Sequence, residues 1–232
     1  MVPSNISASF VRKQQAILWK DLLSELRSKE LILSMCLFSF LVVIIFSFAF
    51  GTDLQVYNGM VPGILWVAFI FSGLLGLNRS FGTERDKGTL SGLLLCPVEP
   101  WEIFLAKMIG TLIFTTIMEI FTFLVFIILY NQNVLPFLVP LSLVIFLGTL
   151  GFSIVGTIFS AMSSATKARD VILSILVFPI SVPVIIASVK ATGLILEGRS
   201  IQTVYAWLKI LVAFDLVFLL LAYLTFSHIM EE

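Results

Sequence analysis

The apolar and polar positions of the chain fall into six long apolar runs separated by polar segments. These runs extend approximately over Leu31–Phe50, Val61–Leu77, Ile103–Tyr130, Leu135–Met162, Val171–Val189 and Trp207–Phe226. A hydrocarbon layer of about 30 Å takes roughly 20 residues of helix to cross, and the runs meet that length. They are continuous rather than alternating, so they predict helices and not barrel strands, with every backbone group bonded inside its own segment. The expected fold class is therefore all-α, a polytopic membrane protein with six transmembrane helices. The third and fourth runs exceed a perpendicular crossing and must tilt or begin outside the hydrocarbon.

Two polar segments carry helical patterns of their own. In residues 1–30, Val11, Leu18, Trp19, Leu22 and Leu26 share one helical face, with Lys13, Lys20 and Arg27 opposite. This predicts a cytosolic amphipathic arm lying on the membrane surface, ahead of a single six-helix domain over 31–232. The segment 78–102 reads NRSFGTERDKGTLSGLLLCPVEPWE. Within it Leu90, Leu93 and Leu94 fall at helical spacing, Glu84, Arg85, Asp86 and Lys87 precede them, and Pro97 and Pro100 end the run. A short cytosolic helix over Glu84–Leu95 is expected, with Gly88 and Gly92 open to close backbone approach.

Composition agrees with a membrane location. Of 232 residues 59% are hydrophobic and only 12% charged, against roughly a quarter charged in soluble domains. Mean hydropathy is +1.10. The formal net charge is zero, so no overall basic excess argues for nucleic acid. Position matters more than sum. Arg12, Lys13, Lys20, Arg27 and Lys29 precede the first span, Arg79, Arg85 and Lys87 follow the second, and Lys167 and Arg169 follow the fourth. The alternate loops hold only Lys190 and Arg199, with Lys209 just inside the last span, so both termini are expected in the cytoplasm. Cys36 and Cys96 have neither metal nor redox spacing and read as free thiols. The amino-terminal segment fits neither a signal nor a transit peptide, which favours a bacterial inner membrane.

The run Glu84, Gly88, Thr89, Leu90, Leu93, Leu94, Pro97 and Lys107 resembles the segment after the second span of type-2 ABC exporter permeases. More narrowly, Pro62, Gly63, Leu65, Trp66, Val67, Ala68 and Phe69, then the stretch from Gly73 to Phe81 that includes LLGLNRSF, are similar to the CcmB family of cytochrome c maturation. So are Ala165, Thr166, Lys167, Ala168, Arg169 and Asp170, followed by Phe178, Pro179 and Pro183. The resemblance covers essentially the whole chain. It implies a non-catalytic permease working with a separate CcmA-like ATPase, CcmC-like and CcmD-like haem-handling membrane proteins and a CcmE-like haem chaperone. Arg79, Glu84, Gly88, Leu90, Leu93 and Leu94 become the expected ATPase-coupling residues. Haem is then a candidate cargo and ATP is consumed by the partner, in keeping with the absence of any GxxxxGK[ST] loop in the sequence. No directly bound cofactor is expected. The alternative is a type-2 exporter permease for a lipid, glycan or drug. A membrane enzyme is disfavoured because His, Cys, Asp and Glu do not cluster in sequence.

Ionisable groups inside spans are costly, on the order of 2.5 to 3.5 kcal/mol at a helix centre by insertion scales. Lys107, near one end of its span, is expected to snorkel to the interface. Glu119 and Asp215 are deeper. They either line a polar cavity or helix contact, or are neutral, hydrogen-bonded packing groups. His228 reads as a solvated terminal residue rather than a haem ligand, and Trp101 and Trp207 as interfacial anchors. Gly156, Ser160 and Ser164 recur every four positions, serving either internal packing or a homodimer seam. Pro179 and Pro183 should kink the fifth span. The outer loop Lys190–Ala206 is expected to re-enter the membrane in part around Gly193–Leu196, and to meet external partners.

Overall fold

The computed structural model describes residues 5–50, 54–86, 98–130, 135–164, 166 and 168–231. Among them the chain forms α-helices and a single 3-10 turn, without strands. In chain order the helices are α1 (Asn5–Ser28), α2 (Glu30–Phe50), α3 (Leu54–Asp86), α4 (Pro100–Tyr130), α5 (Leu138–Ser163), α6 (Arg169–Leu196) and α7 (Ile201–Glu231). Six carry stretches long and apolar enough to cross a membrane: Glu30–Phe50, Gly59–Asn78, Pro100–Leu129, Leu138–Ser163, Arg169–Leu196 and Gln202–Ile229. The protein is a multi-pass membrane protein.

Consecutive spans run in opposite directions. One end of the bundle therefore gathers α1, the end of α3, the start of α4 and the α5–α6 connection; the far end holds the α4–α5 and α6–α7 connections. Helices α3 and α5 form the centre, α5 packing against α3, α4, α6 and α7, and α3 against α2, α4, α5 and α6. Small residues let them close. A Cβ on Gly73 would stand 2.7 Å from the Phe152 ring, and one on Gly156 would collide with Leu77. Ser160 Oγ donates to the Leu77 carbonyl at 2.8 Å, and Ser164 Oγ to the Ala161 carbonyl at 2.7 Å. Gly156 and Ser160 of this stripe thus serve packing against α3 within the chain.

Helix ends explain where the observed elements outrun the apolar runs. The second span's helix continues past Leu77 to Asp86, so Glu84, Arg85 and Asp86 complete α3 instead of opening a new helix. The fifth span continues past Val189 to Leu196, correcting the expected re-entrant loop. It stops because Gly198 adopts a left-handed φ of 68°. There the Gly198 N–H bonds to the Ile195 carbonyl and the Arg199 N–H to the Leu194 carbonyl, both at 3.0 Å. This is a Schellman closure, which needs a residue tolerant of positive φ. Pro179 and Pro183 lie within α6, which remains helical through both.

The arm α1 has a docked side and an exposed side. Ile17 is buried and Leu18 reaches towards Gly110 of α4, while Asp21 and Lys13 make ion pairs to the same helix. Trp19 and Leu26, 62% and 57% exposed, face away. The predicted apolar face is therefore only partly the docking face. Ile17, Leu18 and the charged pairs together dock α1 on α4, leaving the exposed apolar groups available to lipid.

Candidate functional site

The α1 end is organised around the start of α4. Pro100 occupies the first helical position, where its missing N–H costs nothing. Glu102 reaches back so that its Oε2 accepts the Glu99 N–H at 3.0 Å, half of a capping box. Lys13 of α1 lies 3.8 Å from the same oxygen. One turn further on, Lys107 Nζ meets Asp21 Oδ2 at 2.8 Å. Lys107 is only 3% exposed, which corrects the snorkelling expectation: α1 lies over it and supplies a carboxylate. Glu25 Oε1 accepts the Leu31 and Ile32 N–H groups at 2.7 and 3.2 Å. These are unpaired donors of the first turn of α2. Between the two helices Lys29 holds a left-handed φ of 56°. A single surface helix thus clasps both the first and third spans.

This end receives the expected coupling segment. Arg79 and Glu84 fall on the extension of α3. Gly88, Leu90, Leu93 and Leu94 lie outside the described residues. The segment leaves α3 after Asp86 and rejoins the fold at Val98, just before Glu99 and Glu102. At the start of α6 nearby, Arg169 Nε lies 3.6 Å from Asp170 Oδ1. His228 is exposed near this end, and Trp101 stacks on Phe104 and meets Tyr223 edge-on, each at 5.2 Å.

Glu119 and Asp215 are both buried at mid-span, 3% and 6% exposed, but the structure does not bring them together. Thr149 donates its hydroxyl to Glu119 Oε1. Asp215 Oδ1 lies 2.5 Å from where a Cβ on Gly151 would stand. Positions 149 and 151 are two apart on α5, hence roughly 200° apart around its axis. The carboxyls occupy opposite flanks of the central helix. Asp215 has no hydrogen-bond partner among the described residues, and Glu119 Oε2 likewise has none.

Glu119 also lines a cleft of about 1470 Å³ between α4 and α5. Its walls are mostly apolar, with Thr116 and Ser142 among them, and Gly198, Arg199 and Val204 bound it at the α6–α7 turn. Deeper in the bundle, Trp66 Nε1 donates to Thr192 Oγ1 at 3.0 Å. A Cβ on Gly148 would collide with that indole. Trp66 had a place in the sequence pattern but no visible partner, because Thr192 is 126 positions away. Asp21, Glu25, Glu102 and Thr149 were missed for the same reason: each is ordinary in type and special only in what it faces. Among the described residues no three His, Cys, Asp or Glu side chains group to hold a metal.

Comparison with known proteins agrees with this architecture. A protein named Heme exporter protein B from Pseudomonas aeruginosa is 26% identical over 215 residues, covering 92% of each chain. The Haemophilus influenzae protein of that name is 30% identical over 181 residues, covering 77% of this chain and 81% of its own. One from Escherichia coli K12 is 31% identical over 155 residues, covering 66% and 70%. The family model described as CcmB protein matches residues 12–232. With its six spans, and with that match taking in everything from within α1 to the final residue, the chain belongs to the CcmB family.

Proposed function

We propose that this chain is the membrane permease subunit of a haem-exporting ABC-type complex that serves cytochrome c maturation. The observation that carries the reading is the family match over 12–232, coextensive with the six-span bundle. The chain takes no part in ATP chemistry. A CcmA-like ATPase binds the α1 end through the segment 78–102, with Leu90, Leu93 and Leu94 as apolar anchors and Arg79 and Glu84 setting register. Gly88 permits close approach. CcmC-like, CcmD-like and CcmE-like proteins complete the complex on the membrane and its outer side.

The α1 end faces the cytoplasm of a bacterial cell, with both termini there. Lys13, Lys20, Arg27, Lys29, Arg79, Arg85 and Arg169 all belong to that end, against Lys190, Arg199 and Lys209 towards the other. Movement of the docked ATPase reaches α4 through Glu99 and Glu102, and reaches α1 through the pairs of Lys13 with Glu102 and Asp21 with Lys107. From α1 it passes to α2 through the Glu25 cap.

The test is purification of the tagged protein in mild detergent from its own cells, for the native chain and for Leu90→Asp/Leu94→Asp. The expected result is an ABC ATPase recovered together with haem-handling membrane proteins, the ATPase being lost from the variant. An ATPase without haem-handling partners points to a permease for another cargo. No ATPase under conditions that preserve complexes overturns the permease reading.

A further inference from the structure

Glu119 is expensive where it stands. It precedes the last residue of α4, Tyr130, by 11 positions, about 16 Å at 1.5 Å per residue, and so sits near the middle of its span. One carboxyl oxygen is held by the Thr149 hydroxyl. The other has no partner among the described residues, yet Glu119 forms part of the cleft wall. A carboxyl left half-bonded in hydrocarbon is a standing cost that a suitable neighbour removes.

The walls indicate the shape of that neighbour. On α5, Val139, Leu143 and Phe146 are exposed at spacings of four and three, with Val139 79% exposed. On α4, Ile120 and Leu124 are exposed at a spacing of four. These are two ridges of side chains bounding a groove, the relief into which a third helix packs. A lipid acyl chain fills such a groove but offers nothing to the carboxyl.

We propose that the α4–α5 cleft seats a membrane-spanning helix of another protein, one that brings a hydroxyl or carboxamide side chain to Glu119 at mid-span. Either group can donate or accept, and so satisfies the carboxyl whether ionised or neutral. Small or apolar residues on the incoming helix lie along the two ridges. This site is separate from ATPase coupling at the α1 end and stands whether or not that coupling is correct.

The experiment places a photo-crosslinking residue at Val139 or Leu143, one at a time, in the full-length protein in its own membrane. A third version carries it at Leu216, which is exposed on α7. Adducts are mapped by mass spectrometry. The expected adduct from Val139 and Leu143, but not from Leu216, is a peptide from a spanning segment of a different protein with a hydroxyl or carboxamide residue near its centre. Glu119→Leu should lower its yield roughly three- to tenfold, the range that interhelical hydrogen bonds in membranes support. Glu119→Gln, which preserves hydrogen bonding and guards against a folding defect, should leave it largely intact. Adducts to lipid alone, adducts to a second copy of this chain, no adduct, or a yield indifferent to Glu119→Leu each overturn the proposal.

Discussion

The ammonium of Lys107 and the carboxylate of Asp21 meet at 2.8 Å across 86 positions of sequence, joining the surface helix to the third span. Lys107 is buried and Asp21 largely so. Losing one member leaves the other charge less well compensated, with Lys20 at 3.3 Å still beside Asp21, and a poorly compensated charge away from water costs more than the pair itself contributes. Lys107→Met should lower thermal stability in detergent by about 1 to 2 kcal/mol, less than for a fully uncompensated charge because Lys20 remains beside Asp21, and Asp21→Asn by a comparable amount. The double variant should regain most of the loss. Equal and additive losses in a fluorescence-detected melting experiment would falsify the coupling.

Thr149→Val removes the hydroxyl held by Glu119 and leaves both carboxyl oxygens without a partner, whereas Thr149→Ser keeps the bond. The valine variant should be destabilised by about 1 kcal/mol and the serine variant by less. Resistance to denaturation in a mixed-micelle titration measures the difference. Indistinguishable variants would mean that the contact carries no net energy.

Gly148 admits the Trp66 indole, and Gly156 admits Leu77. Gly156→Ala puts a methyl group into the Leu77 side chain and should cost about 1 to 3 kcal/mol. Combining it with Leu77→Ala relieves the clash and should recover part of that cost, despite the apolar contact removed. A double variant less stable than the sum of the two single variants contradicts this packing.

Orientation is open to direct labelling. With Cys36 and Cys96 replaced, a cysteine at Ser200 in the α6–α7 turn should react with a membrane-impermeant maleimide added outside intact cells, or to spheroplasts if the outer membrane limits access. A cysteine at Ser28 should react only after lysis. The reversed pattern would place the α1 end outside and remove the basis for ATPase docking there.

Much of the fold was legible because lipid imposes a one-dimensional constraint. Leu31–Phe50 and Ile103–Tyr130 announced themselves through apolar length, the second despite Lys107 and Glu119 within it, and the observed helices differ from them by at most three residues. Ends were less legible where local chemistry continued the helix. Gly198 was the signal that α6 runs to Leu196, but an apolar stretch interrupted by Lys190 and Thr192 read more readily as a loop.

The sequence by itself determined the six spans, the separate amphipathic arm and the two carboxyls that hydrocarbon makes costly. All follow from composition and spacing within single segments. Tertiary structure alone decided that Lys107 is clasped by Asp21, that Glu25 caps the first span, and that Glu119 faces Thr149 and a cleft while Asp215 lies on the other side of α5. Those facts depend on which residues distant in the chain become neighbours when helices pack. The apolar pattern that drives a helix into the membrane says little about its rotation or about the helix beside it.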